Sequence, residues 1–409
     1  MPRRHCRRYT WRMKIAMIVR RLNVRGGTQR QALELARELQ RRGHRIRIYT
    51  FVYSREDCFG DLLEGLAVLP LRAAEAARSG MFRSSFFEEN RRAKELAMRI
   101  DRDIDLLQPH DQVSYRVAAY YKKRVKNVPS AWMMNDVPTR AYAAWYGRRV
   151  NPDFRVAFIK RVTHWFMDAY DLYQFIRPQE QIAVLAESDR RNAQKFLGRD
   201  AAVVRSGIDV RAFPYAERKP PVAGRVSLLA AGIFMRHRRL EDAIAAVKIL
   251  TDRGVHASLT IIGDQENDKK YAEEIKTLVR VKKIGDRVFF SGRVSEEELV
   301  RAYQRHDIFL FPNDPQTWGL AVFEAMACGT PVIVSRGAGA HEVLTDRENA
   351  LLVQPQAPRE IVAAVEALVR DPALYSMLSR RGRAFVEERL GWDKYADAME
   401  ALFRRAMMK

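Results

Sequence analysis

The sequence predicts an α/β protein of two domains, each a doubly wound parallel sheet with helices on both faces, opposed across a central cleft. Three observations predict it. The 409 residues exceed what one hydrophobic core usually organises, so the chain divides into two domains of roughly 200 residues each. Short apolar runs alternate with stretches of helical periodicity in both halves, the pattern of βαβ units and parallel sheets. A charged, proline-containing segment at 210–224 separates the halves as a linker.

Pro2 to Arg12 reads as a basic arm, expected to be disordered, ahead of a first domain spanning 13–209. Ile15-Ala16-Met17-Ile18-Val19 is the first buried strand, and Ala32, Leu33, Leu35, Ala36 and Leu39 recur at helical spacing after it. Gly43 caps that helix, and Ile46, Ile48, Tyr49 and Phe51 form the next strand, completing a right-handed βαβ unit. Arg72 to Arg102 reads as one helical stretch, interrupted at Gly80, with Phe82, Phe86 and Phe87 beside Arg83, Arg91 and Arg92. It is either a surface helix with one aromatic face in the core or a contact for a membrane or lipid tail. Strands follow at 105–108 and 131–134, separated by a helix at 117–124. From Val150 to Gly198 the chain reads as aromatic-rich helices, with Phe158, Trp165, Phe166, Tyr170, Tyr173 and Phe175 expected in the core. Val203 to Asp209 closes the domain.

The second domain, 225–390, alternates again. Apolar runs at 226–230, 257–262, 288–290, 308–311, 331–334 and 350–353 are strands of a parallel sheet. Amphipathic helices at 358–370 and 372–388 follow, and the last helix, within 391–409, is expected to return to the first domain.

A hydrophobic share of 47% with 30% charged residues suits a globular chain with a large interior and excludes wholesale disorder. No apolar run approaches about 18 residues, and the arginine-rich start lacks a secretory pattern, so a cytoplasmic location is expected. Cys6, Cys58 and Cys328 give neither a disulfide framework nor a zinc spacing. A net charge of +22 points to an anionic partner or to surplus solvated arginine. Nucleic acid is not the expected partner, because no recognition module or stacking platform is present. An anionic membrane surface on the inner face of the cell membrane accounts for the charge without a motif.

Chemistry concentrates in the loops that follow strands, where open parallel sheets gather ligands. The most informative runs Asn313-Asp314-Pro315-Gln316-Thr317-Trp318-Gly319-Leu320, followed by a helix carrying Glu324. A strand ends at Pro312, the loop turns at Gly319, and the free amides of the helix start suit a phosphate. Glu324, one turn in, suits the paired hydroxyls of a ribose. In the first domain Gly26 and Gly27 sit between strand and helix, where glycine lets backbone amides approach a ligand.

These residues resemble the donor signature of the family-four retaining glycosyltransferases of GT-B fold, glycosyl transferases group 1. The family's two glutamates, separated by seven residues, correspond to Gln316 and Glu324, and Gly-Thr-Pro at 329–331 and Gly337 to Glu342 also match. Gln316 departs from the pattern, since an amide carries no charge to steady an oxocarbenium-like centre. The likeness implies two Rossmann-like domains, a UDP- or GDP-sugar donor as substrate, transfer of a hexose with retention, and neither metal nor cofactor. It implies that Gly232, Thr317, Gly319 and Leu320 line the donor site and that Gly263, Gly292 and Val294 hold the nucleotide. Arg238 stands where the family has lysine, while Ile233 takes the place of its arginine and Arg236 is the expected substitute. Gly26 and Gly27 then lie beside the sugar and acceptor, His110 is a proton handler or acceptor ligand, and Asn135 stands where many members have histidine. The expected acceptor is a lipid-linked or cell-envelope glycan, with a soluble acceptor as the alternative. A nucleotide-sugar epimerase on the same architecture is the less favoured reading, because it needs an acid/base pair around the sugar.

Overall fold

The computed structural model describes residues 11–72, 86–151, 153–222 and 224–408. The first sheet is assembled from β1 (Lys14–Leu22), β2 (Arg45–Tyr53), β3 (Ala67–Arg72), β4 (Leu106–His110), β5 (Ala131–Met133), β6 (Gln181–Val184) and β7 (Ala202–Val203). Its order is β3-β2-β1-β4-β5-β6-β7, parallel throughout. The central strands are covered on both faces, so β1 has a near-continuous apolar run with Ala16, Met17, Ile18 and Val19 all buried. The helices are α1 (Gly27–Arg41), α2 (Phe86–Ala97), α3 (Ser114–Arg124), α4 (Arg140–Val150), α5 (Phe158–Asp171) and α6 (Glu187–Leu197). At the end of α1 the amide of Gly43 donates to Gln40 and that of His44 to Leu39, closing a Schellman cap.

The second sheet contains β8 (Arg225–Ala231), β9 (His256–Ile262), β10 (Val288–Gly292), β11 (Ile308–Phe311), β12 (Val332–Ser335) and β13 (Leu351–Val353). Its order, β10-β9-β8-β11-β12-β13, is that of a doubly wound dinucleotide-type sheet whose direction reverses between β8 and β11. Ligands gather at the carboxyl ends flanking such a reversal. Its helices are α7 (Leu240–Asp252), α8 (Lys269–Val281), α9 (Glu296–Arg305), α10 (Leu320–Ala327), α11 (Pro358–Arg370) and α12 (Pro372–Arg389). After α12 the chain crosses back, and α13 (Trp392–Met407) packs on α1, β5 and β6 of the first domain. The two crossings touch, because the amide of Ile208 donates to Leu390 at 2.7 Å. From Phe213 the connecting segment already lies on the second domain, where the Ala216 amide donates to Cys328 at 3.1 Å.

The sequence reading needs three corrections. Residues 72–102 are not one helix: β3 ends at Arg72, and α2 ends at Ala97. Within that stretch Gly80, Phe82 and Arg83 lie outside the described residues, as does the basic arm up to residue 10. The stretch 150–198 is not purely helical, since β6 runs through it; four residues between helices are too few to show an alternating period. Of the aromatics expected in the core, only Phe175 is buried. Phe158, Trp165, Phe166 and Tyr170 are exposed, because α5 turns Asp168 and Asp171 inward instead, and Tyr173, in the turn after α5, is exposed as well.

Candidate functional site

A cleft of about 1090 Å³ lies between the sheets. Both domains contribute to its wall: Gly26, Gly27 and Asn135 from the first, and Gly232, Arg238, Val294, Gln316, Thr317, Gly319, Leu320 and Glu324 from the second. Four residues named from the sequence do not line it. Arg236 is drawn away to α8, where Nη2 meets both carboxylate oxygens of Glu274 at 2.7 Å and the guanidinium covers Tyr271. His110 is fully buried behind Gln31, its Nε2 3.0 Å from Gln31 Oε1, and burial pulls its pKa down to about 3. It is therefore a neutral structural imidazole whose cleft-side neighbour is Gln31. Gly263 and Gly292 bond to each other at the ends of β9 and β10, the Gly263 amide donating to Gly292 at 2.9 Å.

Arg238 ends the single helical turn Arg236–Arg238 that follows β8. Its guanidinium lies over Gly232, where an added Cβ would come within 3.0 Å of Cζ, and Gly232 has a φ of +145°. Glycine thus gives the arginine its resting place and tolerates the backbone that builds it. Asn313 holds the same side chain from behind: with its amide oriented to satisfy both atoms, its oxygen accepts from Arg238 Nη1 at 2.8 Å. No carboxylate pairs with Arg238 among the described residues, and its Nε has no partner there. Burial lowers the guanidinium to about 10, so at neutral pH it remains a cation held out of water, a state that an incoming anion relieves.

Opposite stands the amino end of α10. Gly319, with φ +112°, lies where an added Cβ would strike the Phe311 ring at 2.7 Å, so only glycine lets the loop pass over β11 into the helix. No side chain caps this helix, and Leu320 and Ala321 at its start border the cleft. Glu324 lies one turn further, its Oε2 accepting from the Tyr303 hydroxyl at 2.9 Å. Burial raises its pKa, against the pull of Arg30 and the Tyr303 bond. The loop before α10 is pinned by its backbone: Gln316 donates to Gly337 at 3.2 Å and accepts from Gly339 at 2.9 Å. The Gln316 side chain borders the cleft.

From the first domain, Gly27 faces Leu320, and Asn135 Nδ2 donates to Thr28 Oγ1 at 3.5 Å. Next to it, Asp136 borders the cleft with an exposed side chain. Arg30 spans the opening, its Nη2 2.5 Å from Glu296 Oε1, with its guanidinium 4.7 Å from the centre of the Phe59 ring. Sequence reasoning did not single out Asp136, Tyr303, Asn313 or Glu296 as site residues. Asn313 opens the loop already quoted and Asp136 follows Asn135, so both were within reach of it. Tyr303 and Glu296 sit on α9, whose regular amphipathic pattern carries no sign of a ligand. Among the described residues no three His, Cys, Asp or Glu side chains gather as a metal site.

Comparison with known proteins agrees with this geometry. The model for glycosyl transferases group 1 matches residues 217–385, and that for glycosyltransferase family 4 matches residues 25–212. A glycogen synthase of Mycobacterium tuberculosis is 27% identical over 207 residues, 51% of this chain and 49% of that one. The chain thus spans about half the length of the curated relatives it matches. Among solved structures, Anabaena HepE with UDP and glucose superposes with a TM-score of 0.72 at 15% identity, covering 96% of this chain and 99% of that one. Sucrose-phosphate synthase of Thermosynechococcus elongatus gives 0.76 at 19% identity, covering 96% and 98%. With both halves matched by the family's models and both folded in its two-sheet architecture, the chain belongs to the group 1 glycosyltransferases, family 4, of GT-B fold.

Proposed function

We propose that the protein transfers a hexose-type sugar from a UDP- or GDP-sugar to an acceptor, with retention of anomeric configuration and without a divalent ion. One observation carries this reading: Arg238, a desolvated cation with no carboxylate partner among the described residues, shares the cleft with the uncapped start of α10. Departure of the nucleoside diphosphate builds negative charge, and a preorganised guanidinium and helix dipole stabilise it without reorganising at the moment of bond breaking. Glu324, one turn into α10, takes the ribose hydroxyls. Gln316 and Thr317 face the sugar, and Gly26, Gly27 and Asn135 face the acceptor, which attacks from the side the leaving group vacates.

The solved relative HepE contains UDP and glucose, which supports a nucleotide-sugar donor here. A lipid-linked or cell-envelope glycan is the proposed acceptor, with the protein peripheral to the inner face of the membrane. The net charge of +22 supports that placement, and no helix among the described residues is long and apolar enough to cross a bilayer. A soluble acceptor is the other reading, favoured by relatives such as mannosylfructose-phosphate synthase.

Thermal shift against UDP- and GDP-sugars tests the donor, because a ligand of the folded state raises the melting point. No shift with any of them overturns the reading. Proton NMR of the product then reads the stereochemistry, and an inverted anomeric centre removes the retaining assignment. Loss of turnover in chelator would show that a metal takes part.

A further inference from the structure

Helix α5 is built inside out. Its inward residues are acidic: Asp168 accepts from the Arg140 and Ala141 amides at 3.0 and 2.9 Å, and Asp171 pairs with Arg116 at 2.6 Å. Both carboxylates are buried, so the helix is anchored by charge and capping bonds at the start of α4 and on α3. Its apolar residues point the other way. Phe158 is 75% exposed, Ile159 77%, Trp165 66% and Phe166 62%, with Val162 and Tyr170 also open to solvent, and Tyr173, in the wider turn that follows the helix, is 65% exposed. At about 100° per residue the six on α5 fall on one arc of about 140°. Tyr170 meets Phe86 edge-on at 6.1 Å, which joins the stripe to Phe87 on α2, 82% exposed.

The rim is mainly basic. With Asp168 and Asp171 turned inward, the exposed charged side chains from 154 to 177 are Arg155, Lys160, Arg161 and Arg177, against one exposed acid just before the helix, Asp153, and the half-buried Glu88 beside Phe87. An aromatic stripe flanked by cations is the pattern of a helix lying in the interfacial layer of a bilayer. Tryptophan and tyrosine favour that layer, since each ring has an apolar body and a polar edge. A second copy of this chain fits poorly, because a two-fold contact would set the same basic rim against itself.

We propose that the α5 face, with Phe87, docks the protein onto an anionic phospholipid bilayer. This deepens the reading of a membrane-borne acceptor and moves the contact from the stretch around Phe82 to Phe158–Tyr173. Helix α5 packs on α4, which follows the cleft residues Asn135 and Asp136, so docking brings the acceptor side of the cleft toward the lipid surface.

Flotation on vesicles of phosphatidylcholine alone or with about 30% phosphatidylglycerol is the test. The wild-type chain should float with the anionic vesicles only. Trp165→Ser with Phe166→Ser should lower the bound fraction at least about tenfold, as should Lys160→Glu with Arg161→Glu. Phe289→Ser, at an aromatic of the second domain that is 51% exposed, should float as wild type. The charge pair keeps the test decisive if the apolar pair folds poorly. A wild-type chain that stays with the soluble fraction, or α5 variants that float undiminished, overturns the proposal. So does a drop in oligomeric mass of the α5 variants by light scattering without wild-type flotation, which would assign the stripe to self-association. The donor thermal shift on the same preparations separates this outcome from failure of the transferase reading, since nucleotide binding does not require lipid.

Discussion

Glu342 of the second domain accepts a hydrogen bond from the backbone amide of Glu187 in the first, at 2.7 Å. Its other oxygen takes the Ser188 amide at 2.9 Å, so one carboxylate occupies the positive end of α6 across the domain boundary. Charge-assisted bonds of this type are worth about 1.5–3 kcal/mol. Glu342→Ala should therefore loosen the apposition of the domains, raising KM for the donor by about tenfold with a smaller effect on kcat. A widened radius of gyration by X-ray scattering would accompany it. Unchanged scattering and KM would show that other contacts, such as Arg30 with Glu296, hold the cleft by themselves.

In the proposed reaction Arg238 is the cation that meets the charge of the leaving group. Arg238→Met should reduce kcat by about a hundredfold or more, as loss of one preorganised charge does, while donor affinity falls less. Steady-state kinetics decide it: equal loss in kcat and in affinity would make Arg238 a binding group only.

Gly232 acts through Arg238. An alanine there would force the guanidinium aside and strain a backbone at φ +145°. Gly232→Ala should lower kcat by about tenfold or more with the fold intact by circular dichroism. Wild-type turnover in this variant would show that Arg238 has room to move.

Glu324→Ala should weaken binding of the nucleotide-sugar by a few kcal/mol at most, about 1–3 by the usual scale, and leave the Tyr303 hydroxyl to water. Calorimetric titration with UDP measures it. Equal affinity in the variant takes Glu324 out of the ribose site.

His110 controls a part of the pH dependence of stability. Burial holds its folded pKa near 3, below the ordinary 6.5, so between those values the unfolded chain binds the extra proton. Stability contributed by the neutral ring is present above pH 6.5 and is lost as pH falls toward 3. His110→Gln should flatten the fall of melting temperature across that window. An unchanged slope would assign the acid sensitivity to other groups.

Much of this was legible in the sequence for a definite reason. The central strands of both sheets are buried on two faces, so they stand out as apolar runs, and glycines at 43, 319 and 329 mark turns that few other residues can make. The loop from Asn313 to Glu324 was legible because its chemistry is local: a strand, a turn and a helix start in consecutive residues. Arg236 and Arg238 show the limit. Two residues apart in one basic turn, they look equivalent in sequence, yet one is taken by Glu274, 38 residues away, and the other lines the cleft with no carboxylate partner among the described residues.

By itself, then, the sequence determined that the chain folds as two parallel sheets, with most of their central strands, and the strand-turn-helix from Asn313 to Glu324, because burial on both strand faces and turn chemistry act over a few residues. Only the tertiary structure decided which arginine enters the cleft, that His110 stays neutral behind Gln31, and that the aromatics of α5 face outward. Each of these depends on distant partners, and the direction in which a helix turns its apolar side follows from what the rest of the chain offers its polar one.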